Sequence, residues 1–96
     1  MTLPALPAQA EPAWHLYVVV HPRADELIAG LSERGIQARG YYRVPIHRQP
    51  AMGPFSDGVM LAATDELART NMALPMSPVL APEQAQAVVT ALAELT

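Results

Sequence analysis

The chain contains neither cysteine nor lysine. Without cysteine there is no disulfide, no thiolate nucleophile and no thiolate metal site. Without lysine there is no side-chain amine to form a Schiff base with a carbonyl, so chemistry of that kind needs an amine from elsewhere. All six basic residues are arginines, set against nine acidic ones. The net charge is −3 and the isoelectric point about 5.4, which excludes the basic footprint that nucleic acid demands. No apolar run reaches transmembrane length, and the first residues lack a charged region followed by an apolar one. No membrane partner and a cytoplasmic location are the resulting expectations.

What is present is a chain of 96 residues, 51% of them apolar, enough for one small core and not for a second substrate domain. Residues 1–13 carry three prolines and little pattern, and read as an extended lead-in to a single domain over 14–96. Trp14 to His21 is a β-rich, continuously apolar run, the signature of a buried strand. Pro22 ends it. From Arg23 to Arg34, Leu27, Ile28 and Leu31 recur at helical spacing, with Asp25 and Glu26 early, where the helix dipole favours acids. Gly35 is placed to end that helix.

Ile36 to Val44 alternates with period two and predicts a half-buried strand, with Ile36, Ala38 and Tyr42 on the apolar side. Pro45 to Asp57 is a proline-rigid loop. Val59 to Thr70 reads as a helix, Asn71 to Met76 as a short strand, and Pro82 opens a last helix striped by Val88, Val89, Leu92 and Leu95. The expected fold is α/β (α+β): a small sheet of about three strands with helices mostly on one face, in the order β-α-β-loop-α-β-α. Trp14, Met72, Leu74 and Met76 are assigned to the core or a covered interface, and Asp65, Glu66 and Arg69 to a solvated helix face.

The chemistry-bearing residues crowd into one stretch, Tyr41 to Pro50, YYRVPIHRQP. His47 has the donor and acid–base capacity to serve a phosphate or hydroxyl ligand, and equally the capacity to bond only its own loop. Tyr41 shares the expected open face with Arg39 and Arg43, a platform for a phosphate or aromatic ring or else a solvated edge. Arg48 and Gln49 are further candidate donors at an exposed loop tip. His15 and His21 make no metal-ligand spacing with His47, so no metal site is expected.

Several of these pieces, in this order, resemble the DegT/DnrJ/EryC1/StrS sugar aminotransferases. They are Glu33-Arg34-Gly35-Ile36, Tyr41-Tyr42, Pro45-Ile46-His47-Arg48-Gln49-Pro50, and Leu74-Pro75-Met76 followed by Pro78. The lead strand AWHLYVVV fits as well, and the resemblance runs from about Trp14 to Leu95. One departure is Tyr41, where many members carry histidine. The resemblance implies the carboxy-terminal small domain of a pyridoxal-phosphate (PLP) enzyme of the aspartate aminotransferase fold. It implies further that the catalytic lysine and most cofactor contacts lie in a large preceding domain. On that basis this chain would have no catalytic residue and no cofactor of its own, and would not be an enzyme alone. PLP would enter only with a large-domain partner. Tyr41, His47 and Arg48 would border a nucleotide-sugar substrate, with Arg39, Arg43 and Gln49 as candidate ligand-facing residues. Glutamate or glutamine would be the usual amino donor. The other reading is a free-standing, non-catalytic binding or oligomerisation module derived from the family. Either way, separation from a large domain would uncover apolar surface, so a partner or self-association is expected.

Overall fold

The computed structural model describes residues 1–96. Its elements are β1 (Tyr17–Val20), α1 (Ala24–Glu33), two 3₁₀ segments (Ile46–Arg48 and Pro50–Phe55), α2 (Ala62–Thr70), β2 (Asn71–Leu74) and α3 (Pro82–Leu95). The strands pair antiparallel, with Val18 opposite Ala73 and Val19 opposite Met72. Period two then sorts their side chains. Tyr17, Val19, Met72 and Leu74 face the helices, where Val19 and Met72 join Leu27, Leu31, Val88 and Leu92 in one core. Val18 faces the other way, toward the loop that follows α1.

Local chemistry explains the helix limits. Gly35 takes φ +74°, and the amides of Arg34 and Gly35 turn back onto Leu31 and Ser32. This positive-φ ending is open to glycine at little steric cost. Pro82 sits at the first turn of α3, and the Gln84 side chain accepts from the Ala81 amide at 2.8 Å. No helix is long and apolar enough to cross a membrane.

The sheet corrects the expectation of about three strands: it has two. The stretch 36–44 contributes one antiparallel bridge, Arg39 to Ala73. Continued by one step, that ladder would exchange backbone bonds between Tyr41 and Asn71. Side chains take both places instead. The Tyr41 amide donates to Asn71 Oδ1 at 2.6 Å, and the Asn71 carbonyl accepts from Arg43 Nη1 at 2.9 Å. The order is therefore β-α-loop-α-β-α. On the outer edge of β1 a second isolated bridge joins Thr2 to Val20, so the lead-in is tied to the sheet near its start. β1 is also shorter than the apolar run suggests. Trp14 is 44% exposed and stacks obliquely on Tyr17 at 5.2 Å, and Met76 lies beyond β2, likewise exposed.

Candidate functional site

On the face of the sheet away from α1 and α3, residues 41–61 arch over Val18 and one side of α2, where Thr64, Leu67 and Ala68 lie. They border an open, mostly apolar pocket of about 770 Å³, and Tyr41, Ile46, His47, Phe55 and Leu61 are among its walls. Prolines 45, 50 and 54 keep the arch out of regular structure, so its carbonyls are met by short turns and side chains. The Gln49 side-chain Nε2, for example, donates to Val44 O at 2.8 Å, while its backbone amide closes the first 3₁₀ turn onto Ile46 O.

Two polar fastenings hold the arch. The first is at its root. Arg43 donates through Nη1 to the carbonyls of Ala68 (3.0 Å) and Asn71 (2.9 Å), and through Nε to Asp25 Oδ1 at 2.8 Å. A cation on the last carbonyls of α2 satisfies groups that the helix leaves open. Its Nη2 lies 2.7 Å from Asp25 Oδ1, close enough for ionic attraction but outside hydrogen-bond alignment. A Cβ on Gly40 would occupy the space of this guanidinium and displace it from the root. Asn71 completes the root, donating from Nδ2 to Leu67 O at 2.7 Å while its Oδ1 holds Tyr41.

The second fastening is at the tip. Arg48 grips Asp65 of α2 with a fork, Nε to Oδ1 and Nη2 to Oδ2, each 2.7 Å. The His47 side chain is only 9% exposed, and its Nε2 lies 3.2 Å from the same Oδ1. The ring N–H is not directed at that oxygen, so this contact is electrostatic rather than an aligned hydrogen bond. The fork holds the Asp65 carboxyl below the usual carboxylate range, against the opposing push of desolvation. It raises Arg48 correspondingly.

The structure distributes the sequence candidates unevenly. Tyr41, His47 and Gln49 line the cavity, whereas Arg39, Arg43 and Arg48 do not. The alternation put Tyr42 on the apolar side and Tyr41 on the open face. The structure reverses this, with Tyr42 75% exposed and Tyr41 half-buried, because the ladder ends before both. Their rings meet edge to face at 5.4 Å. Arg43 is occupied in the root and does not stand on an open face. The guanidinium of Arg39 makes no bond at all, its backbone alone being engaged with Ala73. Asp65, read from sequence as part of a solvated face, is the residue that reasoning missed. Its neighbours Glu66 and Arg69 do pair with each other on that face. The only signal for Asp65 was an exposed arginine in a rigid loop, which calls for a carboxylate without naming it.

A model of the DegT/DnrJ/EryC1/StrS aminotransferase family matches residues 1–93. The chain belongs to this family. Similar family proteins include the dTDP-3-amino-3,4,6-trideoxy-alpha-D-glucose transaminase of Streptomyces venezuelae, 37% identical over 96% of this chain and 24% of that protein. A pleiotropic regulatory protein of Geobacillus stearothermophilus is 39% identical over 84% of this chain and 22% of its own length. Among solved structures, S. venezuelae DesV in complex with a ketimine intermediate superposes with a TM-score of 0.90 at 35% identity. It covers 97% of this chain and 25% of that one. A family aminotransferase from Brucella abortus gives 0.89 at 29% identity, with the same coverage. The chain thus spans about a quarter of the length of the relatives it matches.

Proposed function

We propose that these residues form the small domain of a PLP-dependent nucleotide-sugar aminotransferase, and that the 41–61 arch borders its sugar substrate. In this reading Tyr41 and His47 face the substrate from the cavity wall, and Arg48 carries the turn that presents them. The observation that carries it is the coincidence of the arch with the family's Pro-Ile-His-Arg-Gln-Pro segment, on a fold that matches a quarter of DesV. The residues present do not fit the cofactor by themselves, because the 96 residues include no lysine. Transamination therefore needs a lysine-bearing large domain, and the chain alone does not perform it.

The exposed apolar side chains of the arch support such a partner. Tyr42, Ile46, Phe55 and Met60 are each about three-quarters exposed or more, an unusual concentration for one loop. The same cluster favours the second reading, a non-catalytic module that uses this surface to pair with another copy of itself.

One reconstitution separates the two. The purified chain is mixed with PLP, and then with the lysine-bearing portion of a related sugar aminotransferase that lacks its own small domain. The split-enzyme reading expects the absorbance of lysine-bound cofactor and amino transfer to a dTDP-keto sugar only when both pieces are present. His47→Ala and Arg48→Ala are then expected to weaken sugar binding. Failure to restore activity, together with dimers of the isolated chain that Phe55→Ser dissociates, establishes the second reading instead.

A further inference from the structure

The arch is fastened unequally. Every hydrogen bond made by residues 44–60, apart from those of the Arg48 side chain, is internal to the segment: the amides of Arg48, Gln49, Met52 and Val59 return to Pro45, Ile46, Gln49 and Ser56. The side chains of Gln49 and Ser56 likewise bond Val44 O and Met52 O. The sole polar tie from this segment to the rest of the molecule is the Asp65 carboxylate, reached by Arg48 and, through space, by His47.

The geometry of the turn sharpens this. His47 and Arg48 are consecutive in a 3₁₀ turn, where neighbouring side chains leave the axis roughly 120° apart. Two diverging side chains that converge on one carboxylate fix the rotation of the turn as well as its position. The planar fork of Arg48 adds an orientation that a point charge would lack. Asp65 itself lies in the first turn of α2, where the helix dipole favours a carboxylate, so the anchor sits on a rigid element and the anchored groups on the loop.

We propose that Asp65 is the positioning residue of the arch: it sets the orientation of the 46–48 turn and so aims His47 and Arg48, without itself touching a ligand. The functional meaning of that aim rests on the substrate-edge reading above, while the clasp stands on the geometry alone.

The test compares Asp65→Asn, which keeps size and loses charge, with Asp65→Glu, which keeps the carboxylate. Amide exchange is followed in the 96-residue chain at Arg48, Gln49 and Met52, whose amides close the turns. For Asp65→Asn, exchange at these three is expected to quicken about two- to fivefold, the scale of an exposed but well-aligned ion pair. The core amides of Val19 and Met72 should keep their protection, and Asp65→Glu should stay near wild type. The His47 ring resonances should shift in Asp65→Asn while those of His15 and His21 hold still. Unchanged exchange and unchanged His47 resonances in Asp65→Asn overturn the proposal. In the reconstituted enzyme the same variant should raise KM for the sugar with little change in kcat. A faster-exchanging arch with unaltered KM would leave the clasp in place and refute the substrate-edge reading instead.

Discussion

The two faces of the sheet differ in how they are closed. On the helix face Val19, Leu27, Leu31 and Met72 are 0–1% exposed, and everything they touch belongs to this chain. On the loop face Val18 borders an open pocket, and Tyr42, Ile46 and Phe55, which line it from the arch, are each about three-quarters exposed. One face is complete within 96 residues. The other leaves large apolar side chains of the arch exposed. The chain spans about a quarter of the length of the relatives it matches, and the contrast between its faces leads to graded expectations for stability.

The largest effect should come from the closed face. Leu31→Ala removes a fully buried side chain from the contact of α1 with α3, and should cost about 2–5 kcal/mol in denaturant unfolding. Phe55→Ala, at a comparably large apolar residue that is 77% exposed, should change stability by no more than about 0.5 kcal/mol. Equal costs would mean that the arch is part of the folding core and would erase the distinction between the faces.

An intermediate effect is expected where the faces join. Arg43→Ala removes the guanidinium that bonds Ala68 O, Asn71 O and Asp25. Bonds from a charged donor to partly buried carbonyls put the loss at roughly 1.5–3 kcal/mol, and the exposed Asp25 contact adds little. The Tyr41 amide should lose protection in the same variant, since the carbonyl and side chain of Asn71 are held by one arrangement. A loss below about 0.5 kcal/mol would show that water replaces the guanidinium without penalty.

These two fastenings also mark how far the sequence could be read. α1, β2 and α3 were legible because their limits are local: Gly35 ends one helix, Pro82 opens another, and Pro75 follows directly on β2. The family was legible because its motifs are contiguous. The third strand was not. Its alternation from Ile36 to Tyr42 is real, but the bonds that would continue the ladder are taken by Asn71 and Arg43, partners 30 and 28 residues apart in sequence from the groups they bind. The same holds for Asp65. Helical periodicity puts it on the outer face of α2, and nothing local says that Arg48, 17 residues earlier, folds back onto it. Composition found the loop that carries the candidate site, and distance in sequence concealed what holds the loop in place.

The smallest effect belongs to that clasp, and its pH dependence has a defined sign. Arg48 stays charged throughout the accessible range, so the titrating partner is Asp65. Its carboxyl is held below the usual carboxylate range, first by the hydrogen bonds of Arg48, against desolvation, with the charges of Arg48 and His47 adding to the lowering. A group lowered in the folded state stabilises fully above its unfolded value, here about 4, and loses that contribution as the pH falls through its folded value. The Arg48 Hε resonance should therefore report an intact fork from pH 7 down to about 5, and the fork should release only below about pH 4. Because both partners are partly exposed, salt near 1 M should weaken the fork at neutral pH as well, while the amides of the Val19–Met72 pair keep their protection. Release of Arg48 above pH 5 at low salt would mean that the carboxylate is not held by the fork, and that the arch rests on its apolar contacts alone.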